Sequence, residues 1–271
     1  RDYNSNNKIK RIACGPNVDD YHWTREVMDK VKHHAQGISL HYYTIPGDTW
    51  EHKGSATEFD TKEYYKTLAK AYRIEELINN HISVMNSVNP QQWVNLVVDE
   101  WGTWYDVEPG TNPGFLYQQN TMRDAMVAAL TLNIFNKHSD RIMMANIAQT
   151  VNVLQSMILT DAEKMVLTPT YYVFKMFKEH QNNMLLGSFI TTDKIDSKEA
   201  KRSCPQLIES ASIDENDIIY STVVNVADKK SAKIKCQIAD RKVKNIKAYV
   251  LNGDIHDKND FENTNTVEIK D

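Results

Sequence analysis

Half of a (β/α)8 TIM barrel followed by a small β-sandwich is the fold class predicted by this 271-residue sequence. Three observations predict it. Up to about residue 182, short apolar runs alternate with stretches of helical periodicity, the signature of parallel strands joined by crossover helices. Only about four such units are present, where a closed barrel needs eight. From residue 183 to 271, strand-like runs follow one another with no helical pattern between them.

In chain order, residues 8–14 read as a first strand that Gly15-Pro16 ends, and residues 22–32 as a helix. Residues 37–44 are a second strand. A strong helix over 60–86 comes next. Asp60 sits three residues before Glu63, an arrangement like a capping box, and Leu68, Ala71, Tyr72, Leu77, Ile78, Ile82 and Met85 recur at three- and four-residue spacing. Asn89-Pro90 stops it.

The run 93–98 is nearly all apolar, as suits a parallel strand buried on both faces, and ends in Asp99-Glu100-Trp101-Gly102. Residues 121–136 are a helix, 141–146 a fourth strand, and 169–181 a helix with Pro169 in its first turn. Beyond 183, strands are expected over 217–225, 232–238 (with clean period-two alternation), 246–251 and 266–269. Internal repeats and low-complexity segments are absent.

With 41% hydrophobic and 25% charged residues, the chain falls among ordinary globular proteins and is long enough to bury a large core. A formal net charge of -4 points away from nucleic acid or an anionic membrane, which select basic surfaces. No apolar run reaches the roughly 18 to 20 residues of a membrane helix. Cys14, Cys204 and Cys236 form neither a CxxC nor a zinc spacing with the histidines. They read as ordinary thiols, although one disulfide plus a free thiol also fits, so the compartment stays open. The chain opens on Arg1-Asp2-Tyr3-Asn4, from which we expect that residue 1 is not the natural start.

Chemistry on a barrel gathers at the C-terminal ends of its strands. Glu100 is a carboxylate at such a position, next to Trp101. Retaining glycosidases need one carboxylate as nucleophile and a second carboxyl group as acid/base. Asp99-Glu100 as a simple strand-to-loop transition fits the pattern equally well. His41 and Tyr43, two apart at a strand end, share one side and can bond a hydroxyl or a carboxylate, and packed structural roles are open to both. Gln149, just past the fourth strand, suits either a sugar contact or a loop contact. No HExxH, phosphate loop or GxSxG elbow exists, and Cys14 has no visible base, which points away from metal, serine or thiol hydrolysis.

The run 97–105, Val-Val-Asp-Glu-Trp-Gly-Thr-Trp-Tyr, resembles the nucleophile motif of the α-L-arabinofuranosidases of glycoside hydrolase family 51. Runs at 15–24, 38–43, 145–153 and 169–174 resemble further motifs in that family's order. The resemblance implies a (β/α)8 barrel with a C-terminal, jelly-roll-like β-sandwich, and makes the four strands the barrel's strands 5 to 8. It also implies that Glu100 is the nucleophile of a retaining enzyme. His41, Tyr43, Trp104 and Gln149 take the places of residues around the sugar.

The family's acid/base glutamate lies in an Asn-Glu pair, and the sequence has no such dipeptide. Its place is expected before residue 1, in the remaining half of the barrel. Asp19, Asp20, Glu58 and Glu108 read as surface or structural residues instead.

The activity implied by the resemblance is release of terminal arabinofuranose from arabinan- or arabinoxylan-type saccharides, with no metal or organic cofactor. A homo-oligomer is open by analogy with the family's members, and the sequence does not decide the oligomeric state. A same-barrel endo-glucanase or xylosidase, or a non-catalytic carbohydrate-binding fragment, are the rival readings. Half a barrel standing alone is expected to leave unpaired sheet edges and exposed apolar surface.

Overall fold

Four strands, β1 (Ile12–Ala13), β2 (Gly37–Thr44), β3 (Asn95–Thr103) and β4 (Ile142–Ile147), make one sheet in the order β1-β2-β3-β4, every pair parallel. This computed structural model describes residues 9–239 and 241–271. The crossovers are helices α1 (Tyr21–Val31), α2 (Thr61–Val88) and α3 (Met122–Lys137). After β4 comes a hairpin of β5 (Ile158–Asp161) and β6 (Lys164–Leu167), then α4 (Pro169–Phe177) and a 3-10 turn, Lys178–His180, so the helix expected over 169–181 tightens in its last part.

The apolar runs form strands because both faces are covered. Ile38, Leu40, Tyr42, Leu96, Val98 and Trp101 join the apolar stripes of the helices in one core. Trp101 sits edge-on to Phe135 at 5.3 Å and stacks with Phe174 at 6.1 Å. Among the described residues no helix is long and apolar enough to cross a membrane.

The expected first strand begins at Lys8, outside the described residues, and pairs only at Ile12–Ala13. Among the described residues β1 and β4 are the sheet's unpaired outer strands; Ile12 and Met144 are exposed on them, and Ile9 just before β1. This is the half-barrel arrangement expected from the four-unit pattern.

Asp60 does cap α2 by accepting from the Glu63 N–H at 2.9 Å. Only half of the expected capping box forms, because Glu63 Oε1 turns to Arg123 at 3.1 Å, where it meets a buried cation. The complete box is on α3: Thr121 accepts from the Arg123 N–H, and the Asp124 carboxylate takes the Thr121 N–H at 2.8 Å.

The C-terminal part is all-β. Its strands are β7 (Met184–Leu186), β8 (Lys194–Ser197), β9 (Arg202–Pro205), β10 (Leu207–Ile213) and β11 (Ile219–Asn225). β10 lies between β7 and β11, antiparallel to both, while β8 and β9 form a hairpin. β10 docks on α3 through Asn133, whose amide donates to Ile208 O and accepts from Ser210 Oγ. Cys204, Ile208, Val224, Val226, Ile255 and Val267 continue the same core.

Three expectations change here. The strand expected over 217–225 starts at Ile219, because Asp217 (φ 63°) still belongs to a tight turn capped by Asp214. The alternating run 232–238 forms no strand, and Ile234 and Cys236 lie exposed. A period-two pattern needs a neighbouring ladder and a covering layer, and neither meets it among the described residues. The runs 246–251 and 266–269 form no strands among the described residues; a single bridge joins Val250 to Lys270, one residue past the second run, through two N–H···O bonds of 2.8 Å.

His256 ties this C-terminal part to the loop before α2. Its ring stacks on Phe59 at 4.4 Å, Nε2 lies 2.8 Å from Phe59 O, and Nδ1 lies 3.0 Å from Asp254 Oδ1. Both partners are acceptors, so only the doubly protonated ring satisfies both. The Phe59 carbonyl and then Asp254 raise the His256 pKa above its ordinary 6.5, against partial burial and the nearby Arg123. A raised folded pKa gives stabilisation fully present below about 6.5 and lost as pH climbs through the folded value. Thermal melts of wild type and His256→Gln should therefore differ more at pH 5.5 than at pH 8.5. A gap that is unchanged or widens with pH would contradict this.

Candidate active site

Alternation along β2 sends Leu40 and Tyr42 into the core against the helices, and His41 and Tyr43 to the opposite, half-buried face. On β3 the same rule would put Glu100 on the side of Val98, in the core. A bulge prevents this. Ser39 and His41 pair with Val97 and Glu100, so β3 carries one extra residue there, and the register to β4 shifts between Val98 and Trp101. Trp101 then enters the core, and Glu100 emerges beside His41 and Tyr43. Gly102 comes next at φ 135°, a conformation that suits glycine, with Gln155 Oε1 3.1 Å from where a Cβ would sit.

The Tyr43 hydroxyl donates to Glu100 Oε2 at 2.8 Å. Burial, then the bonded carboxylate, push the Tyr43 hydroxyl well above its ordinary pKa, so it stays a donor across the working pH range. His41 lies between two carboxylates. Its Nδ1 is 3.7 Å from Glu100 Oε2, and its Nε2 is 3.0 Å from Asp99 Oδ1, which is off the line of a good hydrogen bond and leaves Asp99 Oδ1 otherwise unpartnered. The loop after β1 reaches the same place, with Asn17 bridging the backbone of His41.

Trp104 lies just past β3, held by its N–H on Thr44 O at 3.0 Å, and meets Tyr43 edge-on at 5.0 Å. The segment behind it is fixed by Asp124, a fully buried carboxylate that takes the Thr103 and Tyr105 hydroxyls at 2.6 and 2.9 Å. Burial raises the Asp124 pKa, while Arg123 and these hydrogen bonds oppose the rise.

Glu100, His41, Tyr43 and Trp104 are thus brought together. Gln149 is two residues past β4 at the same end of the sheet, where Ala148 N–H bonds Trp101 O at 3.0 Å. Its side chain is exposed, and no hydrogen bond among the described residues joins it to the other four. Asp19 pairs with Arg73, Asp20 caps α1, and Glu108 holds the Gln119 N–H, so these acids have structural roles. Glu58 is exposed in the loop before α2. No group of three or more His, Cys, Asp or Glu is arranged to hold a metal among the described residues.

Sequence reasoning did not single out Trp50, which meets Trp104 edge-on at 5.4 Å, or Asp99 as a neighbour of His41. The available signals were a tryptophan in a polar loop between Gly47 and Gly54, and an acid pair at a strand end.

Residues 99–271 match the family model of the α-L-arabinofuranosidase C-terminal domain. The chain is similar to an intracellular exo-α-L-arabinofuranosidase of Bacteroides ovatus, at 44% identity over 99% of the chain and 52% of that protein. Its fold is similar to the crystal structure of a family 51 arabinofuranosidase from Xanthomonas axonopodis pv. citri (TM-score 0.94, 41% identity, 98% of this chain and 54% of that one). It is also similar to that of an α-L-arabinofuranosidase from Thermotoga maritima in an arabinose complex (TM-score 0.77, 25% identity, 97% and 52%). The chain spans about half the length of the relatives it matches. With a family model covering well over half of its residues, the chain belongs to the α-L-arabinofuranosidase C-terminal domain family.

Proposed function

We propose that the chain carries the nucleophile side of a retaining α-L-arabinofuranosidase that releases terminal arabinofuranose from arabinose-containing saccharides. The observation that carries this reading is Glu100, re-aimed by the bulge onto the face of His41 and Tyr43, with Tyr43 donating to it at 2.8 Å. In this reading Glu100 attacks the anomeric carbon as the glycosidic C–O bond breaks and the leaving oxygen takes a proton from the acid/base carboxyl group; water then hydrolyses the covalent arabinosyl-enzyme with net retention. Tyr43 holds one carboxylate oxygen so that the other is aimed at the sugar. His41, placed between Asp99 and Glu100, steadies the same carboxylate and reaches the sugar hydroxyls. Trp104 walls the sugar site, and Gln149 supplies an amide from the β4 side. The acid/base role is assigned to no residue of this sequence.

The test is a substrate panel on the full-length protein: aryl α-L-arabinofuranosides, aryl xylosides and cellulosic chains. Arabinofuranoside turnover at least tenfold above the others supports the reading, and preference for xyloside or cellulose overturns it. In the same assay Tyr43→Phe should cost about 10- to 100-fold in kcat/KM, the worth of a hydrogen bond to a charged group. A loss below twofold would remove Tyr43 from this role.

A further inference from the structure

Beyond Tyr43 and Trp104 the aromatic wall continues. Trp50 meets Trp104 edge-on at 5.4 Å and 78°, as Trp104 meets Tyr43 at 5.0 Å and 77°. Glu100, Tyr43, Trp104 and Trp50 are therefore linked contact by contact. Trp50 is 54% exposed, so much of its ring is free to receive something else.

The loop that carries it is built to hold it still. Gly47 N–H closes the loop on Lys53 O at 2.7 Å, and a side chain at Gly47 would collide with His52 O at 1.7 Å. Lys70 Nζ donates to Gly47 O at 2.6 Å and to Pro46 O at 3.3 Å, and Lys66 pairs with Asp48 at 2.8 Å. At the far end Lys53 Nζ caps Trp50 O at 2.8 Å, and Asp106, from the loop after β3, takes the N–H groups of Lys53 and Gly54 at 3.2 and 3.1 Å. An exposed tryptophan on a mobile loop needs no explanation. This one is anchored from both α2 and the β3 loop.

The geometry points to Trp50 as a stacking platform for the saccharide leaving group, a specificity-determining residue one ring beyond the sugar that is cleaved off. The inference rests on the hydrolase reading of the same site. An enzyme that removes a terminal arabinofuranose has one sugar on the nucleophile side, so any further ring it grips belongs to the leaving group. Sugar rings present C–H faces that bury against a rigid indole at little entropic cost, which is what a braced tryptophan offers.

The test compares Trp50→Ala and Trp50→Phe with wild type in the full-length protein, on arabinobiose and on α-L-arabinofuranosyl fluoride, whose leaving group has no ring. The expected result is a loss of about tenfold in kcat/KM on arabinobiose for Trp50→Ala, carried mainly by KM and largely restored in Trp50→Phe, against less than about twofold on the fluoride. Equal losses on both substrates would overturn the inference, since Trp50 would then act through Trp104 and the loop. No loss on either would overturn it as well. A wild-type protein inert toward both would instead sink the hydrolase reading on which the inference stands.

Discussion

Glu100→Gln in the full-length protein is expected to lower kcat on para-nitrophenyl α-L-arabinofuranoside by about 1,000-fold or more, with binding of arabinose little changed. The amide matches the carboxylate in size and still accepts from Tyr43, so the 2.8 Å contact and the bulge that aims position 100 both survive. What is lost is the nucleophile, and with it the covalent step, which no change of KM restores. A chemical signature is expected as well. Glu100→Ala with added azide should regain turnover and yield the azide product of inverted configuration, because a small anion can enter from the vacated side. A variant that keeps more than a tenth of wild-type kcat would require the nucleophile to be sought elsewhere, first at Asp99, the other carboxylate beside His41.

Arg123→Ala is the second large effect, and it acts on stability. The guanidinium is fully buried, donates to Glu63 Oε1 at 3.1 Å and to the carbonyls of Ser55 and Ala56 at 2.7 and 3.1 Å, and lies 3.7 Å from the Phe59 ring and 4.2 Å from that of Tyr105. Truncation leaves the half-buried Glu63 and two loop carbonyls without their donor and empties the space between Phe59 and Tyr105, a loss of about 2 to 3 kcal/mol. Urea unfolding of the full-length protein measures it. Arg123→Lys should recover only part of the loss, because an ammonium cannot span the three acceptors as the planar fork does. A loss below about 1 kcal/mol in Arg123→Ala would show that the loop before α2 is held by other means. Because Arg123 packs on Tyr105, beside Trp104, and on the loop that leads away from Trp50, its loss should also raise KM for saccharide substrates.

How far the sequence carried these conclusions differs from element to element. The parallel sheet was legible because each strand is a continuous apolar run flanked by helical periodicity, and the ends of α2 could be read from Asp60 and Asn89 to within a residue or two. Glu100, His41 and Tyr43 were legible from their place at strand ends, but the reason they meet was not. A regular β3 puts Glu100 with Val98, and the bulge that reverses it depends on pairing with Ser39 and His41, far away in the chain. The half-formed capping box at Asp60 has a similar cause: local spacing favours Glu63 turning back, and the buried Arg123, distant in sequence, wins it.

In the C-terminal part, β8, β9 and β10 escaped notice because 194–213 mixes charged, small and apolar residues with little periodicity, and tertiary contacts with α2 and α3 decide its strands. The opposite happened at 232–238, where a clean alternating pattern found no neighbour to pair with. Trp50 was invisible for a third reason. Its significance lies in ring-to-ring contacts between two loops, which no spacing within either loop encodes.

Central to the proposed mechanism is a covalent bond between Glu100 and the sugar. The most direct measurement is mass spectrometry of peptides from the full-length protein after incubation with a fluorinated arabinofuranosyl donor whose second step is slowed. The expected result is one added fluorinated arabinosyl mass on the peptide containing residues 99–105, fragmenting to Glu100. A label on Asp99, on another carboxylate, or no covalent adduct despite turnover of the donor would contradict it.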